Sequence, residues 1–75
     1  MTLDLGQVNQ TYEIEELNLP LHVEKRLEAL GMTVGTTVDV LNNKNQGTLI
    51  IKIRGARFAI GKGISKKISV KDMKE

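Results

Sequence analysis

The stretch Leu49-Ile50-Ile51-Lys52-Ile53-Arg54-Gly55-Ala56-Arg57-Phe58-Ala59-Ile60-Gly61 decides how this chain folds. Leu49, Ile51 and Ile53 share one parity and alternate with Ile50, Lys52 and Arg54. That period of two is the mark of a half-buried strand. Arg54-Gly55-Ala56-Arg57 reads as a tight turn, after which Phe58 and Ile60 alternate around Ala59 in the next strand. Working outward, Thr36–Leu41 places Val38 and Val40 on one face, and the polar run Asn42–Gly47 joins it to the hairpin. Further back, Val8, Tyr12 and Ile14 share a parity within Val8–Leu17, a first strand. On the C-terminal side Ile68 and Val70 make a short fifth. The frequent β-branched residues suit pleated, half-buried surfaces.

One segment departs from this period. Between Pro20 and Leu30 the apolar residues Val23, Leu27 and Leu30 fall at i, i+4, i+7, which predicts an α-helix over about 20–30. Pro20 suits the first turn, Asn18 stands where it can cap free amides, and Gly31 ends the helix. Met32 is placed to pack back on Leu27, as a Schellman motif requires. Val34-Gly35 is a turn into the second strand, and Lys62–Lys67 is either a one-turn helix or a loop. Five short strands laid flat would expose two edges. They are expected to curl into a small antiparallel barrel, with the helix after strand one covering it. Leu21, Val23, Leu27 and Leu30 would then extend the aliphatic core. With 75 residues and no linker or repeat, the chain forms a single domain over 1–75.

Composition narrows the function. There is no cysteine, so disulfides, thiolate metal sites and cysteine nucleophiles are excluded together. A small domain without disulfides points to the cytoplasm. No apolar run reaches the roughly 18 residues of a membrane span, and Met1–Gly6 carries an acid and no base, unlike a signal peptide. His22 is the sole histidine, which leaves no histidine pair and no Ser-His-Asp set. Glu13, Glu15 and Glu16 form an acidic run, but one strand does not supply the oxygen cage a hard divalent ion demands. No metal site, catalytic residue or cofactor is therefore assigned. Gly61-Lys62-Gly63 with Ser65 lacks the order and spacing of a phosphate-binding loop.

Charge is unevenly spread. Residues 1–40 hold seven acids and two bases, and residues 41–75 nine bases and two acids, for a net +2 overall. Lys52, Arg54, Arg57, Lys62, Lys66 and Lys67 all lie late in the chain, and Lys52 and Arg54 fall on the outer parity of the third strand. This suits docking of an acidic protein loop, or nucleic acid, or simple solvation. Nucleic acid is disfavoured because single-strand binders add aromatics for stacking, and only Tyr12 and Phe58 are aromatic. Leu30 and Met32 at the helix end, and Ile50 pointing out of the barrel, add apolar candidates. The candidate partner-binding set is thus Leu30, Met32, Ile50, Lys52, Arg54, Arg57 and Lys62. The exposed strand edges also permit a weak homodimer.

The run Arg26-Leu27-x-x-Leu30-Gly31-Met32-x-x-Gly35-x-x-Val38-x-Val40 resembles the signature of the FeoA family of ferrous iron transport accessory proteins. Ile51-x-Ile53-x-Gly55, Ala59-Ile60-Gly61 and the closing Ile68 and Val70 are similar to the rest of that pattern, so the resemblance covers about residues 8–71. Relatives usually carry a glycine a few residues before the apolar core of strand one; here Val8-Asn9-Gln10-Thr11 stands there and Gly6 comes earlier. The resemblance implies an SH3-like barrel, a cytoplasmic location, and a role in ferrous iron uptake beside FeoB, a membrane permease with a GTP-binding domain. A similar domain ends the DtxR-type metal-dependent repressors. Two alternatives therefore stand beside the accessory-protein reading: a nucleic-acid-binding small barrel, and a free-standing DtxR-type C-terminal-like domain that binds a divalent metal.

Overall fold

The computed structural model describes residues 1–43 and 47–73. Five strands form one antiparallel sheet: β1 (Thr11–Leu17), β2 (Thr37–Asn43), β3 (Thr48–Ile53), β4 (Ala56–Gly61) and β5 (Ile68–Asp72), in the order β4-β3-β2-β1-β5. A 3-10 turn, η1 (Leu3–Leu5), precedes them. Helix α1 (Leu21–Ala29) follows β1, and the one-turn α2 (Lys62–Ser65) follows β4. The sheet rolls around a single aliphatic core, giving a body of 29 × 28 × 23 Å rather than a flat layer. Ile14, Val38, Val40, Leu49, Ile51, Ile53, Ile68 and Val70 line it from the strands, at 1% exposure or less. This is the small antiparallel barrel that the five alternating runs predict, in the SH3-like arrangement that the family resemblance implies.

Two bulges let short strands close around so small a core. In β1 the pairing with β5 shifts between Ile14 and Glu16. Glu15 and Glu16 therefore both face solvent, and Leu17 returns to pack on the core. In β2 the shift lies between Val40 and Asn42. It turns Asn43 back towards the N-terminal segment, where its side-chain amide donates to the carbonyls of Asp4 (3.1 Å) and Gly6 (2.8 Å). An extra residue bends a strand and raises its twist, as barrel closure requires.

Several local expectations are corrected. The first strand begins at Thr11, not Val8. Asn9 sits at φ 72, a conformation that asparagine tolerates and an extended strand forbids, and Val8 is exposed. Gly6, three residues before that break, is buried where a Cβ would meet Val40 Cγ2 and the Leu3 carbonyl at 3.0 Å. Asn18 does not cap α1. Pro20 is the N-cap residue, its carbonyl accepts from Val23 and Glu24 at 2.9 Å, and Asn18 lies too far upstream to reach the first amides. The Schellman ending does form: Met32 N–H donates to Leu27 O (3.0 Å) and Gly31 N–H to Glu28 O (2.9 Å). Leu21 and Leu30 stay exposed, so only Leu27 and, in part, Val23 extend the core from α1. A nine-residue helix laid over a barrel of this size presents only one narrow stripe. The loop expected over Asn42–Gly47 is strand up to Asn43, and residues 44–46 lie outside those described.

Candidate functional site

The β3–β4 hairpin turns through two residues, Arg54 (φ 51) and Gly55 (φ 85), with Ile53 opposite Ala56. Two positive φ values in succession define a type I′ turn, a position that Asn-Gly fills far more readily than Arg-Gly. The ladder then pairs Lys52 with Arg57, Ile50 with Ala59 and Thr48 with Gly61 on the outer face. In a two-residue hairpin the closing pair is hydrogen-bonded, so Lys52 and Arg57 form the next, non-hydrogen-bonded pair, whose Cα atoms approach to about 4.5 Å. Two like charges thus stand directly opposite one another, an unfavourable cross-strand combination. On the other flank of Lys52 stands Asp39, whose Oδ1 accepts from the Thr11 hydroxyl at 2.7 Å. The outer face therefore carries a cross-strand row Thr11, Asp39, Lys52, Arg57.

Arg54 leans towards the end of α1. A Cβ built on Gly31 would lie 3.5 Å from Arg54 Cδ and 3.8 Å from Nε. The guanidinium stem thus lies against the C-terminal end of α1, where the helix dipole places a partial negative charge. Leu30, 43% exposed, is the residue before that contact. The hairpin end and the helix end together form one surface, cationic with an apolar margin.

Of the seven residues singled out from sequence, this surface gathers Lys52, Arg54 and Arg57, with Leu30 at its margin. Ile50 is half-buried on the same outer face, one pair further along. Met32 is 1% exposed and belongs to the core, because the Schellman turn folds it back under Leu27. Lys62 lies at the far end of the β3–β4 ladder, its stem against Gly47. It borders an open groove of about 520 Å³ whose walls include Asp4, Leu5, Val8, Asn43 and Ser65. Sequence reasoning overlooked this groove. Its signal, Asp4-Leu5 and Asn43, is legible only once the β2 bulge is known.

The polar side chains do not converge elsewhere. Among the described residues no three of His, Cys, Asp or Glu meet where they could hold a metal ion. Glu13 faces Lys71 across β1–β5 at 3.9 Å, and Glu15, Glu16 and His22 point to solvent. Tyr12 is buried, with its hydroxyl accepting from the Gln7 N–H at 2.8 Å. Phe58 is half-buried against the core, so the outer face offers no aromatic platform. No described helix is long and apolar enough to cross a membrane.

Comparison with known proteins adds a family. The family model described as FeoA domain matches residues 1–72. A protein of Methanocaldococcus jannaschii named Putative Fe(2+) transport protein A is 40% identical over 48 residues, 64% of this chain, and the match spans 57% of that relative. Among solved structures, an Iron Uptake Regulatory Protein (FeoA) superposes with a TM-score of 0.90 at 27% identity, over 97% of both chains. The Iron(II) transport protein A of Clostridium thermocellum superposes at 0.89 with 18% identity, over 97% of this chain and 46% of that one. The Zn2+-bound ScaR structure superposes at 0.85 with 19% identity over 37% of its length, a likeness of fold alone.

Proposed function

The chain belongs to the FeoA domain family, and from that premise we propose that it is an accessory protein of ferrous iron uptake. It works in the cytoplasm as an interaction module on a FeoB-type permease that carries a GTP-binding domain. The observation that carries this reading is the division of the molecule into a predominantly aliphatic interior, with Tyr12 its one fully buried aromatic among the described residues, and a charged exterior. Chemistry needs convergent polar groups in a sheltered site, whereas docking needs only a shaped surface with complementary charge. The cationic hairpin end, with Leu30 at its margin, supplies such a surface. GTP binding and metal passage belong to the partner.

The direct test is titration of the isotopically labelled protein with the soluble GTP-binding domain of the permease, followed by the detergent-solubilised permease. Saturable shifts that map to one surface are expected. Absence of binding to both would overturn the reading. Equal binding of an unrelated oligonucleotide, with affinity collapsing as salt rises, would favour the nucleic-acid alternative instead.

A further inference from the structure

The two edges of the sheet are not alike. The outer edge of β5 is occupied: Val70 N–H donates to the Met1 carbonyl at 2.8 Å, and Thr2 bridges to Ser69. The outer edge of β4 is not. All six residues of β4 pair with β3 on one side, and among the described residues no backbone hydrogen bond from another strand or loop reaches the other side of Ala56–Ile60, while the Gly61 carbonyl serves as the N-cap of α2. The hairpin geometry says which groups are open. Ala56, Phe58 and Ile60 face β3 with their N–H and C=O groups, so Arg57 and Ala59 direct both of theirs to the open edge and Gly61 its N–H, its carbonyl being the N-cap acceptor of α2. The same three positions face outward, with side chains on Arg57 and Ala59 and none on Gly61, because both properties alternate with period two. All of them are exposed, and two are small enough not to obstruct an approaching strand.

Charge identifies what fits there. Along the row Thr11, Asp39, Lys52, Arg57, Lys52 has a carboxylate on one flank and Arg57 on the other. Arg57 has a like charge on one flank and the open edge on the next. The position opposite Arg57 on an added strand is where an anion would complete the alternation. Natural sheets usually guard an open edge, and here the guard is a cation that repels another copy of this chain and attracts an acid.

We infer that the outer edge of β4 accepts an extended acidic segment of a protein partner. The segment adds as a sixth strand, with Asp or Glu opposite Arg57 and an apolar side chain at the next position, towards half-buried Phe58. Main-chain bonds to Arg57 and Ala59 and to the Gly61 N–H supply affinity, and the carboxylate supplies register, in the manner of β-strand addition. The inference extends the accessory-protein reading by naming the chemistry of the partner segment, yet its test needs no permease.

The probe is an acetylated, amidated peptide of alternating Glu and Val, eight residues long, with a Lys-Val peptide of the same length as control. Added to the intact labelled protein at low salt, the Glu-Val peptide should slow amide exchange at Arg57, Ala59 and Gly61 at least tenfold and leave Val70 unchanged. Arg57→Glu, a change at an exposed side chain, should weaken Glu-Val binding at least tenfold and admit the Lys-Val peptide instead. Ala59→Pro removes an edge donor without touching the β3 ladder and should abolish binding while the far-ultraviolet spectrum is kept. Unchanged exchange at millimolar Glu-Val peptide would overturn the inference. So would binding indifferent to the charge at Arg57, or an oligonucleotide that binds at Lys52 and Arg57 while the edge amides still exchange freely. If the permease domain binds wild type and Arg57→Glu equally, the edge inference fails and the accessory reading stands. If neither binds, the accessory reading fails and the peptide result is judged alone.

Discussion

The β5 edge and the β4 edge belong to the same sheet, yet among the described residues one is sealed by the chain itself and the other is left open. Sealing takes a segment with its own anchors. Leu3 is fully buried, Gly6 fits tightly against Val40, and Asn43 ties the carbonyls of Asp4 and Gly6 from the opposite side. The open edge has none of these. Its strand is exposed at four of six residues, and the turn that leads into it holds an arginine in a left-handed conformation. An edge that must be kept from pairing is covered with apolar packing and saturated hydrogen bonds. The difference teaches that the N-terminal segment secures one edge of the sheet while, among the described residues, the main chain of Arg57 and Ala59 at the other edge stays open to solvent.

The comparison can be broken most severely at the sealed side. Leu3→Ala empties a fully buried position and should cost about 2–5 kcal/mol, read as a lower urea midpoint with faster exchange at Val70. Asn43→Ala leaves two carbonyls without their donor and should cost about 1–3 kcal/mol, with the loss again centred on the N-terminal segment. At the open side the sign reverses. Arg54→Asn replaces a residue that is strained at φ 51 by one that accepts it, and should raise stability by up to about 1 kcal/mol while weakening any acidic partner. The smallest effect belongs to Lys71→Ala. The Glu13–Lys71 contact at 3.9 Å is solvent-exposed, with Lys71 at 55%, and its loss should shift stability by less than about 0.5 kcal/mol.

What was legible in the sequence is what depends on local period. Leu49, Ile51 and Ile53 announce their strand unaided, and Gly31 with Met32 announces the helix end, because spacing and backbone conformation are properties of neighbouring residues. What was hidden depends on tertiary register. Nothing local distinguishes Glu15 or Leu41 as a bulged residue, and only the pairing with β5 and β3 shows that parity changes there. Val8 matched the parity of Tyr12 and Ile14, but Asn9 adopts a left-handed turn between them. Leu30 satisfied the helical period and still faces solvent, as the C-cap residue just past the last turn of α1. The candidate surface was half legible: the cations could be counted, but that Lys52 faces Arg57 across the ladder, and that Lys62 stands at its far end, follows only from the register.

The central claim is that this protein acts through an unsealed side of an otherwise self-contained barrel. Amide hydrogen exchange, residue by residue, first alone and then with the soluble domain of the permease, tests it most directly. The account predicts that Arg57, Ala59 and Gly61 exchange rapidly in the free protein, that Val70 is protected throughout, and that the partner slows the first three. Strong protection of all four in the free protein, or a bound state that leaves Arg57, Ala59 and Gly61 exchanging as before, would contradict it.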